Sequence, residues 1–555
     1  MEDVLSAGAA AQGWSQPDST SVRSSLSARA RPYGPIRLLS GDFLGLEGRP
    51  VEVQVDVSPR GSPSFTIVGL PGKSTRESRD RIRAAIQNAG FRFPNSDRIL
   101  VNLAPAFQEK EGAVLDLPVA LGILLATGQV AGDVPGSADG PRTEPPAPDT
   151  SGFGFLGELG LGGEVRAVPG ALLAATALRE RGVRALVVPA ENADEVGLVR
   201  GIDVFGVRTL REAMAALLGR LASRPIVPWR RDDVAGPGAG RDFAEVRGQE
   251  GAKRAVLIAA AGWHNVLLCG PPGVGKTMLA RRLPGILPPM AFEEALDVTR
   301  IRSALGLGVS GRLSSERPCR APHHTVSYAG LVGGSSPPRP GEVSLAHRGV
   351  LFLDELPEFP RRALEALREP LEEGKITVSR SKGAMTFPAS FILIAAMNPC
   401  PCGYLGHPRR SCRCTPLQTH AYRARISGPL IDRIDLCIRA QPVESKDLTA
   451  EAIGRGGETS SIVLRERVAS ALERQASRWG QGGLNGAVSL ARLAKQGDVT
   501  LRAWRRATTF LERHAISARS LERALRVART IADLEGSDPV LEAHVDEALF
   551  YRELG

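Results

Sequence analysis

The sequence predicts a multidomain α/β protein in which a parallel sheet carries a phosphate-binding loop and an all-helical segment follows it. Three observations lead there. Short apolar runs at 265–269, 350–353 and 391–396 are separated by helical patterns, as in a parallel sheet covered on both faces. The run G-P-P-G-V-G-K-T at 270–277 follows the first of these strands and opens a helix. From about Val443 the apolar period turns to 3.6, and no strand signal returns.

A chain of 555 residues suits roughly three or four domains of about 150 residues. With 61 Gly and 41 Pro, long loops are expected. The net charge of +10 admits a nucleic-acid or acidic partner, while 5% aromatics speak against recognition through many stacked bases. No membrane span is expected. The apolar run L-D-L-P-V-A-L-G-I-L-L-A contains Asp116 and Pro118 and falls short of the ~20 residues a spanning helix needs. Residues 1–40 hold no signal pattern. Seven cysteines make no disulfide scaffold in a chain this long, so a reducing cytoplasmic location is expected.

In order along the chain, 1–36 is rich in Ser, Ala, Gly and Arg and reads as a disordered extension. The alternation V-E-V-Q-V-D-V at 51–57 predicts a half-buried strand, with 64–71 as its partner. Residues 74–89 read as a basic amphipathic helix ended by Gly90, 98–103 as a strand and 117–127 as a buried helix. The segment 131–152, dense in Pro, Gly, Asp and Ser, predicts a flexible surface loop. Strand 153–159, helix 170–181, strands 185–189 and 204–207 and helix 210–221 close a first domain at 222. A linker at 223–241 leads to a second domain, 242–442, which opens with helix 249–261. Within it, 373–388 alternates and predicts a hairpin with Gly383 in the turn, made basic by Lys375, Arg380 and Lys382. In the last segment, 443–555, four helices are expected at 461–479, 503–514, 520–535 and 538–551.

The Gly-rich run predicts a site for ATP and Mg²⁺. Gly270, Pro271, Pro272, Gly273, Val274 and Gly275 form a turn whose backbone N–H groups can cradle phosphate oxygens at a helix N-terminus. Lys276 can reach the β- and γ-phosphates, and Thr277 can ligate Mg²⁺. The strand G-V-L-F-L-D-E ends in Asp354, which can hold Mg²⁺, and Glu355, which can polarise an attacking water. A third strand ends at Asn398, which reads either as a residue orienting that water or as a turn former before Pro399. Cys400, Cys402, Cys412 and Cys414 have the spacing C-x-C-x9-C-x-C. They read either as a closed structural zinc site or as four uncoordinated thiols. Cys269, Cys319 and Cys437 read as ordinary reduced thiols, and the adjacent His323 and His324 as a satisfied polar pair near the nucleotide or subunit boundary.

Several stretches together resemble the AAA+ ATPases, and within them the ComM/YifB family of magnesium chelatase-like proteins. They are R-A-P-H-H-T at 320–325, L-V-G-G at 331–334, G-E-V-S-L-A-H-R-G-V-L-F-L-D-E-L-P-E-F at 341–359, M-N-P-C-P-C-G-Y at 397–404, R-I-S-G-P-L-I-D-R-I-D-L at 425–436 and V-A-R-T-I-A-D-L at 527–534. The resemblance runs from about Arg37 to the end. It implies an AAA+ P-loop NTPase core of magnesium chelatase type at 242–442 and a C-terminal helical lid at 443–555. It assigns part of the long stretch between the two nucleotide motifs to an insert in the second core helix. It also implies that Arg433 completes a neighbouring subunit's site and that Arg519 is the lid sensor, so a homo-hexamer is expected. The implied function is an ATP-driven motor on single-stranded, forked or branched DNA, a helicase promoting branch migration. The alternative is a magnesium chelatase-like motor that remodels a protein partner or inserts a metal ion. In related proteins hairpins such as 373–388 face the pore, where the three cations could track a phosphate backbone; a solvated hairpin is the other reading.

The segment 37–222 resembles the Lon protease domain (ribosomal S5 domain 2-like) through G-E-L-G-L-G-G-E-V-R-A-V-P-G at 157–170 and V-P-A-E-N at 188–192. The Lon serine position falls at or beside Val114 and the lysine position near Leu172. Neither residue type is present, so no peptidase activity is expected.

Overall fold

The computed structural model describes residues 35–59, 61–107, 109–110, 112–129, 148–223, 242–307, 313, 316–380, 383–442, 460–514 and 517–552. Most of the expected extension, most of the 131–152 loop, nearly all of the linker, Lys382 and residues 443–459 lie outside the described residues. Among the described residues, no helix is long and apolar enough to cross a membrane.

The N-terminal half is a seven-stranded mixed sheet. Its elements are β1 (Ile36–Leu44), β2 (Glu47–Ser58), β3 (Ser64–Val68), α1 (Lys73–Asn88), β4 (Arg98–Ala104), α2 (Asp116–Ala126), β5 (Phe153–Phe155), α3 (Ala171–Glu180), β6 (Ala185–Pro189), β7 (Asp203–Val207) and α4 (Leu210–Leu217). The sheet order is β3-β4-β2-β1-β5-β6-β7. Along β2 the valines at 51, 53, 55 and 57 are buried, as their alternation requires. Helix α2 lies buried over β1 and β2, and Gly122 permits the approach: a Cβ there would stand 2.5 Å from Val55 Cγ2. Buried Lys110 pins the adjoining loops by donating to the carbonyls of Gly69 at 3.0 Å, Leu103 at 3.2 Å and Pro105.

Three expectations are corrected here. Strand 64–68 does not pair with 51–57; it runs parallel to β4, because α1 is the crossover between them and both edges of β2 are taken by β1 and β4. Ile36, assigned to the extension, opens β1, while residues 1–34 lie outside the described residues. The stretch 153–159 is two strands, β5 and a short one at Glu158–Leu159, which pairs separately with Val165–Arg166.

The second half holds a five-stranded, wholly parallel sheet. It comprises α5 (Glu250–Gly262), β8 (Val266–Cys269), α6 (Lys276–Ala280), α7 (Phe292–Ala304), β9 (Cys319–Arg320), β10 (Val350–Leu353), the hairpin β11 (Lys375–Arg380) and β12 (Gly383–Pro388), β13 (Ile392–Met397), α8 (Pro416–Arg423) and β14 (Leu436–Arg439). The order β9-β10-β13-β8-β14 places the strand before the Gly-rich loop next to the strand ending at Asn398. The hairpin forms as expected, with Ile376, Val378 and Phe387 in the core. The two halves touch. Gly170 N–H donates to Ser303 O at 2.7 Å, the Arg200 guanidinium lies 5.2 Å over the Phe292 ring, and Leu46 packs into the core that holds the hairpin.

Helices α9 (Ser461–Trp479), α10 (Leu490–Gln496), α11 (Leu501–His514), α12 (Ala518–Leu534) and α13 (Glu542–Phe550) follow. Helices α9 and α12 pack on α5. A buried polar network runs through this junction. Asp533 takes Arg478 at 2.8 Å, Arg529 at 2.9 Å and Asn485 at 2.8 Å. Thr530 links Asn485 to His264, whose Nε2 lies 2.8 Å from the hydroxyl. Asp435 accepts from Arg523 at 2.8 Å and lies 3.8 Å from His264 Nδ1. Groups so paired cost little while the network is whole and much when one partner is removed.

His264 is fully covered, and burial drives its pKa from 6.5 down to about 4; Asp435 opposes the shift, and Arg526 and Arg523 favour it. The folded state therefore holds a neutral ring. Its contribution is complete above pH 6.5 and is lost as pH falls toward 4, because the unfolded chain takes up the proton first. The loss is on the order of 3 kcal/mol across that window. Chemical denaturation at pH 7 and pH 4.5 is expected to show a steeper fall for the parent than for His264→Gln. Equal falls in the two proteins would contradict this.

Candidate nucleotide and metal sites

The loop between β8 and α6 turns twice through the left-handed region, at Gly273 (φ +79°) and Gly275 (φ +91°). A Cβ at either position would meet nothing within 4 Å, so the loop lines open space large enough for phosphate oxygens. Lys276 opens α6 and folds back over the loop. Its Nζ donates to Gly270 O at 2.6 Å, Pro271 O at 2.9 Å and Asn398 Oδ1 at 3.1 Å. Burial lowers its pKa, and Asp354 opposes that shift.

Thr277 Oγ1 donates to Asp354 Oδ2 at 2.8 Å, so the two expected Mg²⁺ ligands already touch. Glu355 sits in the left-handed region (φ +54°), and its N–H donates to Asp354 Oδ1 at 3.0 Å. This turn sends the two neighbouring carboxylates in different directions. The structure thus brings Lys276, Thr277, Asp354 and Asn398 into one contact set at the carboxyl ends of β8, β10 and β13. Such strand ends are where open α/β sheets bind ligands.

Two more residues border this set: His324, which the sequence reading places near the nucleotide or subunit boundary without naming its partner, and Gln249, which it misses. His324 Nδ1 lies 3.4 Å from Glu355 Oε2, and its ring meets His323 at 4.0 Å and Phe359 edge-on at 6.4 Å. The signal was present, since R-A-P-H-H-T leaves a strand of the same sheet. Gln249 Nε2 donates to Val274 O at 3.2 Å and to Gln441 O, tying the loop to α5 and to the segment after β14. No motif marked it.

Arg433 and Arg519 lie together. Arg433 is buried: its guanidinium meets Glu372 Oε1 at 2.5 Å, Pro429 O at 2.6 Å and Arg368 O at 3.3 Å. Arg519 is 69% exposed and meets the same Glu372 oxygen at 3.7 Å. One carboxylate therefore holds both arginines, and Arg433 first lowers the Glu372 pKa.

The four cysteines converge. Cys400 Sγ lies 3.4 Å from Cys402 and 3.6 Å from Cys412, Cys402 and Cys412 are 3.6 Å apart, and all four sulfurs lie within 4.8 Å of one another. Tetrahedral zinc with Zn–S near 2.3 Å needs sulfurs about 3.8 Å apart, which this cluster matches closely. Backbone N–H groups of Arg413 and Tyr404 hold the Cys402 thiol down at about 6, while Cys412 and Cys414 are raised against the pull of their own backbone N–H partners by burial and the neighbouring sulfurs, so the close sulfurs share one low-pKa thiol among them. The cluster abuts the nucleotide loop, for a Cβ on Gly403 (φ +85°) would stand 2.7 Å from Pro272 Cδ.

Profiles of known families match along the chain: subunit ChlI of Mg-chelatase at 51–192, magnesium chelatase subunit ChlI at 242–448 and its C-terminal region at 458–552. A protein called YifB from Salmonella typhimurium is 43% identical over 92% of this chain and 95% of its own length. The competence protein ComM of Haemophilus influenzae is 40% identical over 92% of this chain and 96% of its own. The magnesium-chelatase 38 kDa subunit of Acidiphilium rubrum is 27% identical over 55% of this chain and 87% of its own.

Gly403→Ala is expected to disturb both sites at once. The left-handed backbone alone costs an alanine roughly 1–2 kcal/mol, and its methyl also presses on Pro272. Fluorescent-nucleotide titration should show affinity weakened several-fold. Unchanged affinity would mean that the cysteine loop does not brace the nucleotide loop.

Proposed function

The chain belongs to the ComM/YifB family of magnesium chelatase-like AAA+ ATPases, and from that premise we propose that it is a hexameric, cytoplasmic ring motor moving on DNA, a helicase that drives branch migration when incoming DNA recombines. The observation that carries the ATPase part is the meeting of Lys276, Thr277, Asp354 and Asn398 at three strand ends with Glu355 beside them. In this reading Lys276 shifts from its carbonyls to the β- and γ-phosphates, and Thr277 and Asp354 hold Mg²⁺. Asn398 orients water, and Glu355 polarises it. Arg433 leaves Glu372 when a neighbouring subunit's γ-phosphate replaces it as the anion, Arg519 leaves it to act as the lid sensor, and guanidinium groups suit both roles.

The DNA part is supported by the net charge of +10, the exposed cations Lys375 and Arg380 on the hairpin, and the name of the competence relative. The 37–222 segment is read as Lon-like without peptidase chemistry, a scaffold or a DNA- or partner-binding platform, since Val114 and Leu172 are apolar core residues and not a serine and a lysine. The likeness to a magnesium-chelatase subunit favours a second reading, a motor that remodels a protein partner or inserts a metal ion. A forked or four-way DNA substrate separates the two readings: the full chain with ATP and Mg²⁺ should resolve it, and failure to do so would favour the second.

The cysteine cluster is read as structural zinc. Four protein ligands leave no open position, so the metal would staple the loop and supply no catalysis.

Two outcomes are expected. Glu355→Gln should bind ATP with near-parental affinity yet hydrolyse it at least about a hundredfold more slowly, whereas Lys276→Ala should weaken binding itself. Near-parental turnover by Glu355→Gln would remove that residue from the chemistry. Metal analysis of chain prepared without chelators should find about one zinc per chain, falling sharply in Cys412→Ser. A parental chain free of zinc would leave the cysteines as thiols.

A further inference from the structure

The segment from Pro399 to Ile431 contains five arginines, two histidines and no carboxylate. It closes a carboxylate-free stretch that begins at Gly374; residues 251–292 form another in this chain, so the feature that sets 399–431 apart is where its arginines sit. Charge balance against zinc does not explain these arginines, since one Zn²⁺ on four thiolates carries minus two and leaves the segment positive. Arg425 is committed to Glu358 at 2.8 Å, and Arg423 reaches Pro399 O at 3.3 Å. Arg409, Arg410 and Arg413 are exposed, and among the described residues none of them pairs with a carboxylate. Their loop is fixed in shape. The cysteine sulfurs close it, and His407 Nδ1 accepts from the backbone N–H groups of Arg409 and Arg410, each at 3.0 Å. Thr415 and Gln418 cap α8 immediately after Cys414. Arg410 lies 5.2 Å over the Tyr404 ring and donates to its hydroxyl at 2.8 Å. The backbone carrying the three arginines is thus closed into a loop, and the Arg410 guanidinium is held on Tyr404, which limits part of the ordering cost of binding.

We propose that Arg409, Arg410 and Arg413 form a second DNA-backbone contact, separate from the hairpin, and that the cysteine-held loop passes its occupancy to the nucleotide site. The partner chemistry is phosphodiester oxygen, which planar guanidinium forks match and which three exposed arginines without a carboxylate partner among the described residues attract. The route is short. Asn398, which touches Lys276, precedes the loop by one residue, and Gly403 rests on Pro272 of the nucleotide loop. This inference rests on the DNA-motor reading above.

The test uses the full chain with Arg409, Arg410 and Arg413 all changed to Ala, beside a version with all three changed to Lys. Labelled single-stranded and forked DNA are titrated at several salt concentrations, and ATP turnover is followed with and without DNA. Fluorescent-nucleotide affinity is measured in parallel. The Ala version should bind DNA at least about tenfold more weakly, and its salt slope should be smaller by about 2, near 0.7 per lost contact. The Lys version should recover most of the salt slope, and turnover without DNA should be parental in both. DNA binding by the Ala version equal to the parent's would overturn the proposal while leaving the DNA-motor reading intact. Weakened nucleotide affinity with unchanged DNA binding would also overturn it and assign the loop to ATP. Loss of subunit assembly with unchanged DNA binding would overturn it in favour of an acidic protein face. If the parent itself binds no DNA at any salt, both the proposal and the reading beneath it fall.

Discussion

The Lys276 ammonium is held by the neutral oxygens of Gly270, Pro271 and Asn398, and the rest of the nucleotide region follows from that placement. A cation covered by carbonyls and an amide, with its pKa lowered by burial, still lacks full charge compensation. In the ATPase reading, entering phosphates would supply the missing anion. The arrangement requires β8 and β13 to be adjacent, because only then do the Gly-rich loop and Asn398 share one lysine. It also requires open space at Gly273 and Gly275 and a firm wall at Pro272. The cysteine loop supplies that wall.

Coupling between sites has a physical basis in the contacts around this lysine. Glu372 meets both arginines that the ring reading needs, Arg433 closely and Arg519 loosely at 3.7 Å, so an anion that binds Arg433 competes with this carboxylate. The network from Asp435 through His264, Thr530 and Asn485 to Asp533 fastens the C-terminal helices to the strand ends of the parallel sheet. A rotation of those helices would strain buried charge pairs, which favours a few discrete positions over continuous flexing. On the other side, the β1–β2 turn reaches the hairpin core through Leu46, so the N-terminal half touches the element read as facing DNA.

Much of this was legible in the sequence, and the exceptions have physical causes. The valines of β2, the apolar β10 and the Gly-rich loop stand out because one side-chain period or one turn chemistry dominates each. Strand β1 escaped because R-L-L-S-G-D-F-L does not alternate, and helices α2 and α3 both pack on it. Strands β9 and β14 are two and four residues long, and their neighbours in the sheet define them more than their own patterns do. The pairing of β3 with β4 depends on α1 as a crossover, which local alternation cannot reveal. In the site, the residues on motifs were found, and the cysteine spacing drew attention to the cluster. Glu372 was not, because one acid in L-R-E-P-L-E-E carries no mark of the arginines it will meet. His324 was placed near the nucleotide or subunit boundary but not given its partner, since its meeting with Glu355 depends on two strands lying side by side.

The central claim is that nucleotide chemistry at Lys276 and Glu355 is geared to a nucleic-acid track. Steady-state ATP turnover of the full chain, measured with and without forked DNA at moderate salt, tests it most directly. The account predicts turnover that rises several-fold with DNA and loses that rise as salt displaces the phosphate contacts. Robust turnover that stays flat from zero to saturating DNA would contradict it and leave an ATPase whose work is done on something else.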